Sequence, residues 1–157
     1  MYAQIDLDGR AGTLRVSGHG MPTVDLVRKP GTEPDRHTPI GTRRPDLLTL
    51  TVDGVGARIR PARGRLSRRS YRVDATVDGV TYRLVPCSHQ ESRLLRDGRR
   101  IGALESAGDG RADADWDEGV PVEPRDVAVG TALAAAFGTG AAPWWETAAD
   151  VIGELIP

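Results

Sequence analysis

Residues 127–142 read VAVGTALAAAFGTGAA, from Val127 to Ala142, and hold no charged side chain. Val127, Val129, Leu133 and Phe137 are spaced by Gly130, Thr131, Ala132 and Ala134 to Ala136, so a helix here is apolar on every side. Such a helix lies in a protein core or in lipid. Asp126 falls in its first turn, where a carboxylate favours the helix dipole. Pro124 suits its start, and Gly138 and Gly140 are candidate stops. The pattern predicts a central helix over about 125–138.

The uncharged run from Val127 to Trp145 counts 19 residues, near the length of a membrane span. Gly130, Gly138, Gly140 and Pro143 interrupt it, and no basic cluster follows as an anchor. Small side chains also let strands approach from all sides. The expectation is therefore burial inside the strands that precede it, with no transmembrane segment.

Those strands are marked by their turns. Asp-Gly occurs at Asp8, Asp53, Asp78, Asp97 and Asp109. This pair suits hairpin turns with positive φ. Between the turns several runs alternate with period two. Leu48, Leu50 and Val52 share a face, as do Tyr71, Val73, Ala75 and Val77, and then Tyr82 and Leu84. Residues 18–46 read as loop with one short strand, Thr23 to Arg28. Local antiparallel pairing of this kind closes readily into a barrel, which removes exposed edges. The expected fold is mainly β: a closed antiparallel β-barrel, strands within about 2–122, around the buried hydrophobic helix. A second, amphipathic helix is expected over about 143–155, with Trp144, Ala148, Val151, Ile152 and Leu155 on one face and Glu146, Asp150 and Glu154 on the other. The 157 residues suit one domain, 1–157.

Charge is lopsided. Residues 1–100 carry 19 basic and 11 acidic side chains, and residues 101–157 carry 2 and 11. Seven arginines and no acid fall in RIRPARGRLSRRSYR: Arg58, Arg60, Arg63, Arg65, Arg68, Arg69 and Arg72. Guanidinium forks suit phosphate oxygens. Two readings stand: a loop solvated and neutralised by the acidic part, or a surface for an anionic ligand. Nucleic acid shares the phosphate chemistry, but only Tyr71 offers a nearby stacking ring, so it is not the expected partner.

Catalytic constellations are thin. His19, His37 and His89 are far apart in sequence. Cys87-Ser88-His89 with Glu91 would align thiol and imidazole on one strand face, yet matches no nucleophile motif. No phosphate-cradling glycine loop is present. The chain is read as a non-enzymatic binding module without a cofactor. Cys87 is the single cysteine, which excludes an internal disulfide. MYAQIDLDGR has no apolar leader region, so the expected compartment is the cytoplasm.

The segment YRLVPCSHQESRLLRDGRRIGALE, followed by ADADWDEGVPVEPRDV and an apolar Ala-rich helix, resembles the tubby C-terminal-like superfamily. Its LURP-one-related and phospholipid-scramblase branches are the most similar. The matching positions are Arg96, Asp97, Gly98, Ile101, Gly102, Asp113, Asp115, Pro121 and Asp126, within about residues 71–140. The resemblance implies a closed barrel threaded by a helix, and recognition of phosphoinositide headgroups by basic residues on the outer surface. From the scramblase branch it also implies Asp113 and Asp115 as candidate metal ligands. The EF-hand pattern fails, because Glu118 holds the glycine position and Pro124 the bidentate position, and no metal is expected. The function expected is recognition of an anionic lipid headgroup or small ligand through the arginines. The alternative is a protein-interaction or scaffold module, or a homodimer, using Trp144 and Trp145.

Overall fold

A computed structural model describes residues 2–64, 67–106 and 110–139. The expected second helix at 143–155, with Trp144 and Trp145, lies outside the described residues, as does Arg65.

Three of the Asp-Gly pairs do what their chemistry predicts; Asp8-Gly9 takes no positive φ, and Asp109 lies outside the described residues. Asp53, Asp78 and Asp97 each take φ near 49°, followed by a positive-φ glycine. These are two-residue hairpin turns. They join β4 (Leu48–Val52) to β5 (Val55–Pro61), β6 (Val73–Val77) to β7 (Val80–Pro86), and β8 (Glu91–Arg96) to β9 (Arg99–Glu105). Upstream lie β1 (Gln4–Asp8), β2 (Thr13–Ser17) and β3 (Val24–Arg28); downstream lies β10 (Asp113–Trp116). All ten form one antiparallel sheet in chain order. The alternation then puts one side chain in two onto the inner face: Leu14 and Val16, Val24 and Leu26, Leu48, Leu50 and Val52, Val73, Ala75 and Val77, Tyr82 and Leu84 are all buried. Tyr71 leaves this pattern, because Arg68–Tyr71 form a short 3₁₀ turn ahead of β6.

The inner face packs on one helix, α1 (Pro124–Phe137), and every residue from Asp126 to Phe137 is buried. Strands from both halves of the sheet reach it: β1, β2 and β3 on one side, and β7, β8 and β9 on the other. Close approach requires small residues. A Cβ on Gly130 would sit 2.6 Å from Leu94 Cδ2. The helix starts where predicted, with Pro124 at its first position. Glu123 and Asp126 cap it reciprocally. No helix among the described residues is long and apolar enough to cross a membrane.

The expected closed barrel does not form. Among the described residues β1 pairs with β2 alone and β10 with β9 alone, so the sheet keeps two edges. The edges do come near one another, since a Cβ on Gly110 would lie 2.8 Å from Leu7 Cδ2. Both edge strands carry exposed acids, Asp6 and Asp8 on β1 and Asp113 and Asp115 on β10. Charged edges resist pairing. The helix is wrapped, but the wrapping sheet is an open one.

Candidate functional site

The arginine run divides where β5 ends. Ile59 and Pro61 turn inward, so Arg58 and Arg60 point out. Arg58 stands opposite Thr76, and Arg60 opposite Asp74. The Asp74 carboxylate is already held by Arg83 through two bonds of 2.7 and 3.0 Å. Arg63, Arg69 and Arg72, beyond the strand, are also exposed. None of these five arginines has an ion pair among the described residues. The acids expected to neutralise them are partly engaged elsewhere, Asp117 with Arg100 and Asp126 with Arg96. Of Arg68, the backbone opens the 3₁₀ turn Arg68–Tyr71.

Two arginines outside the run shape the ground beside it. Arg28, the last residue of β3, is 3 % exposed. Its guanidinium donates to the carbonyls of Gly9 (3.1 Å), Arg10 (2.9 Å) and Ile40 (2.7 Å), and to Thr32 Oγ1 (3.1 Å). It thereby ties the 29–44 loop to the β1–β2 turn. Gly41 has φ of 95°, and a Cβ there would land on Arg28 Nη1. Ile40 N donates to the Ala136 carbonyl at the end of α1 (3.0 Å). The loop is thus seated on the buried helix.

Arg43 follows. Its Nε donates to the Ala62 carbonyl (2.8 Å) and its Nη2 to the Tyr71 carbonyl (2.7 Å). The guanidinium lies 5.4 Å from the Tyr71 ring centre and 5.5 Å from that of Phe137. Cation–π attraction and the negative end of α1 both favour a cation here. Nη1 is shut from solvent and finds no hydrogen-bond acceptor among the described residues. Burial pulls the Arg43 guanidinium down to about 10, only weakly opposed by Tyr71 and Asp35. Arg43 fastens the arginine-rich segment to the 29–44 loop. Between them opens a hollow of about 670 Å³, lined among others by Thr42, Arg43, Arg44, Arg63, Glu33 and Asp35.

Toward the β10 edge of the sheet the acids gather. Glu91 opposes Glu105, and Glu105 opposes Asp113, with Asp115 beside Ala103. They line a hollow of about 280 Å³. Asp113 and Asp115 are exposed, and no group of three or more potential metal ligands forms among the described residues. Cys87, Ser88 and His89 lie in a turn, not on a strand. Cys87 Sγ donates to the Glu91 carbonyl (3.3 Å), and so does Ser88 N (3.1 Å). The one-face alignment that nucleophilic catalysis would need is absent there.

The sequence reading missed one polar cluster. Asp126 is fully buried, and accepts from Tyr82 Oη (2.5 Å), from Arg96 and from Glu123 N (2.9 Å). Arg96 also donates to the Pro121 carbonyl (3.1 Å). Desolvation, with the Asp126 bond second, pushes the Tyr82 hydroxyl up to about 12. The bonds of this cluster fix the start of α1 to β7 and β8. A carboxylate three residues after Glu123, opening an apolar helix, was the available signal; its partner Tyr82 is 44 residues away. Compared with known protein families, curated proteins and solved structures, the chain matches none.

Proposed function

We propose that this chain is a non-enzymatic module that binds phosphate-bearing anionic ligands, lipid headgroups foremost, on its arginine-rich outer face. One observation carries the reading: Arg58, Arg60, Arg63, Arg69 and Arg72 are exposed, close in the chain, and without an ion pair among the described residues. Exposed charges that no acid neutralises create a local positive potential, which attracts anions and anionic surfaces. The resemblance to tubby-type barrels points to the same class of ligand. A cytoplasmic setting fits, since the single Cys87 needs no oxidising compartment.

The test is co-sedimentation with vesicles. Binding to phosphatidylcholine vesicles doped with phosphatidylinositol bisphosphate is expected, with none to phosphatidylcholine alone. Each basic residue near such a surface contributes about 1 kcal/mol. Replacing Arg58, Arg60, Arg69 and Arg72 with Ala together should therefore abolish sedimentation. Undiminished binding by this variant would refute the reading, and tighter binding to single-stranded DNA than to vesicles would replace it.

A further inference from the structure

Arg43 was not part of the arginine run, yet it is tied to it. Two of its nitrogens are committed to backbone carbonyls of the arginine-rich segment, and Nη1 has no acceptor among the described residues. Its charge has no carboxylate within ion-pair distance among the described residues. A half-buried guanidinium without a counter-charge leaves a local positive potential, which favours an anion beside it. The hollow at Arg43 has room for one. At about 670 Å³ it lies within the range of small-molecule sites.

Its lining is chemically selective. Arg63 stands on the exposed segment that Arg43 holds in place. Arg44 holds Asp46 through two bonds of 3.3 and 2.7 Å, which leaves its Nη1 without a partner among the described residues. The Thr42 hydroxyl accepts from Arg44 N (3.1 Å), which leaves its own hydrogen to donate. Asp35 is occupied with its own loop, accepting from His37 N (2.9 Å) and Thr38 Oγ1 (3.4 Å). Glu33 is exposed. Its carboxylate suits a hydroxyl or ammonium on the ligand, and penalises a second phosphate.

We infer that this hollow seats a single phosphate monoester, gripped by Thr42, Arg44 and Arg63 beside the positive charge of Arg43, with Glu33 receiving a donor from the rest of the ligand. The inference rests on the proposed function for the class of ligand, and it adds the place and the valence. A phosphate monoester is offered equally by a lipid headgroup and by a free metabolite, and the same chemistry recognises both.

The experiment is a titration of the whole chain, followed by ¹H–¹⁵N spectra that include arginine Nε, with ionic strength matched by sodium chloride. Inorganic phosphate is the first probe, and vesicles containing phosphatidic acid are the second. Saturable shifts are expected at Thr42, Arg63 and Arg43 Nε. Arg63→Ala, a surface change, should weaken phosphate about tenfold, the loss of one charge-assisted hydrogen bond. Thr42→Val should weaken it less. Pyrophosphate should bind no tighter than phosphate. Shifts confined to Arg58, Arg60, Arg69 and Arg72, or none that saturate, would overturn the hollow as a site; continued vesicle sedimentation would then leave the proposed function standing. Phosphate filling the hollow without vesicle binding would uphold the hollow, name free phosphate as the source, and remove the membrane reading.

Discussion

Replacing Asp126 with Asn tests what holds the buried helix in register. The change keeps the shape and removes the charge. In the native chain Asp126 is 0 % exposed and Arg96 is 24 % exposed. Asp126 receives three donors: Tyr82 Oη, an Arg96 nitrogen and Glu123 N. An amide offers one oxygen where the carboxylate offered two, and its NH₂ must face a donor. Arg96 keeps the Pro121 carbonyl but loses its counter-charge. Breaking a buried pair from one side costs about 3–5 kcal/mol. For a domain of this size that is a fall in Tm of roughly 6–20 °C. Urea unfolding followed by far-UV circular dichroism measures it. Tyr82→Phe alone should cost about 1.5–3 kcal/mol, for one bond to a charged group. The double variant should cost less than the sum, because both changes break the same bond. Asp126→Asn within about 0.5 kcal/mol of the parent, with an unchanged m value, would show that the carboxylate does not anchor the helix.

Three further outcomes follow from the same structure. Tyr82 keeps its proton more tightly folded than unfolded, so between pH 10 and about 12 the folded state binds more protons and stability falls as pH rises. The fall should amount to roughly 2–3 kcal/mol and be missing in Tyr82→Phe, as read by denaturant titrations across that range. Gly41→Ala meets both a φ of 95° and the Arg28 guanidinium; it should cost about 2–4 kcal/mol in thermal melts and spread the Ile40 and Arg43 amide resonances. Ala134→Arg puts an unpaired charge at a site 1 % exposed. It should remove most of a stability of about 5–15 kcal/mol, and a cooperative melt in this variant would mean that α1 is not the core.

Local chemistry was legible in the residues. Asp53, Asp78 and Asp97 each precede a glycine, and each takes the backbone that this pair favours. Alternation then put Leu48, Leu50 and Val52 on the inner face. Closure was not legible. Whether a twisted sheet meets itself depends on the summed curvature of ten strands, and on two edges that lie over a hundred positions apart. The arginines divide along the same line. Arg58 and Arg60 could be placed outward by the period of β5. Arg28 and Arg43 looked like any other loop-side cations. Only the folded chain shows Arg28 spending its donors on carbonyls from two segments, and Arg43 clasped between Tyr71 and Phe137. A buried arginine has no local signature, because its partners are main-chain oxygens that every residue carries.

The order of elements bears on how the chain comes to life. All ten strands precede α1, so synthesis delivers the wrapper before its contents. A nascent chain that has reached Trp116 holds the alternating strands and lacks the helix on which Leu14, Leu26 and Leu94 close. Its apolar face is open to water, and to other chains, until Phe137 has left the ribosome. At about 5–20 residues per second that delay is a second or more. The hairpins can pair early, since each neighbour is local, but they wait as a troughed ribbon. Completion is a capture event, in which a helix made after these ten strands becomes the innermost part of the molecule.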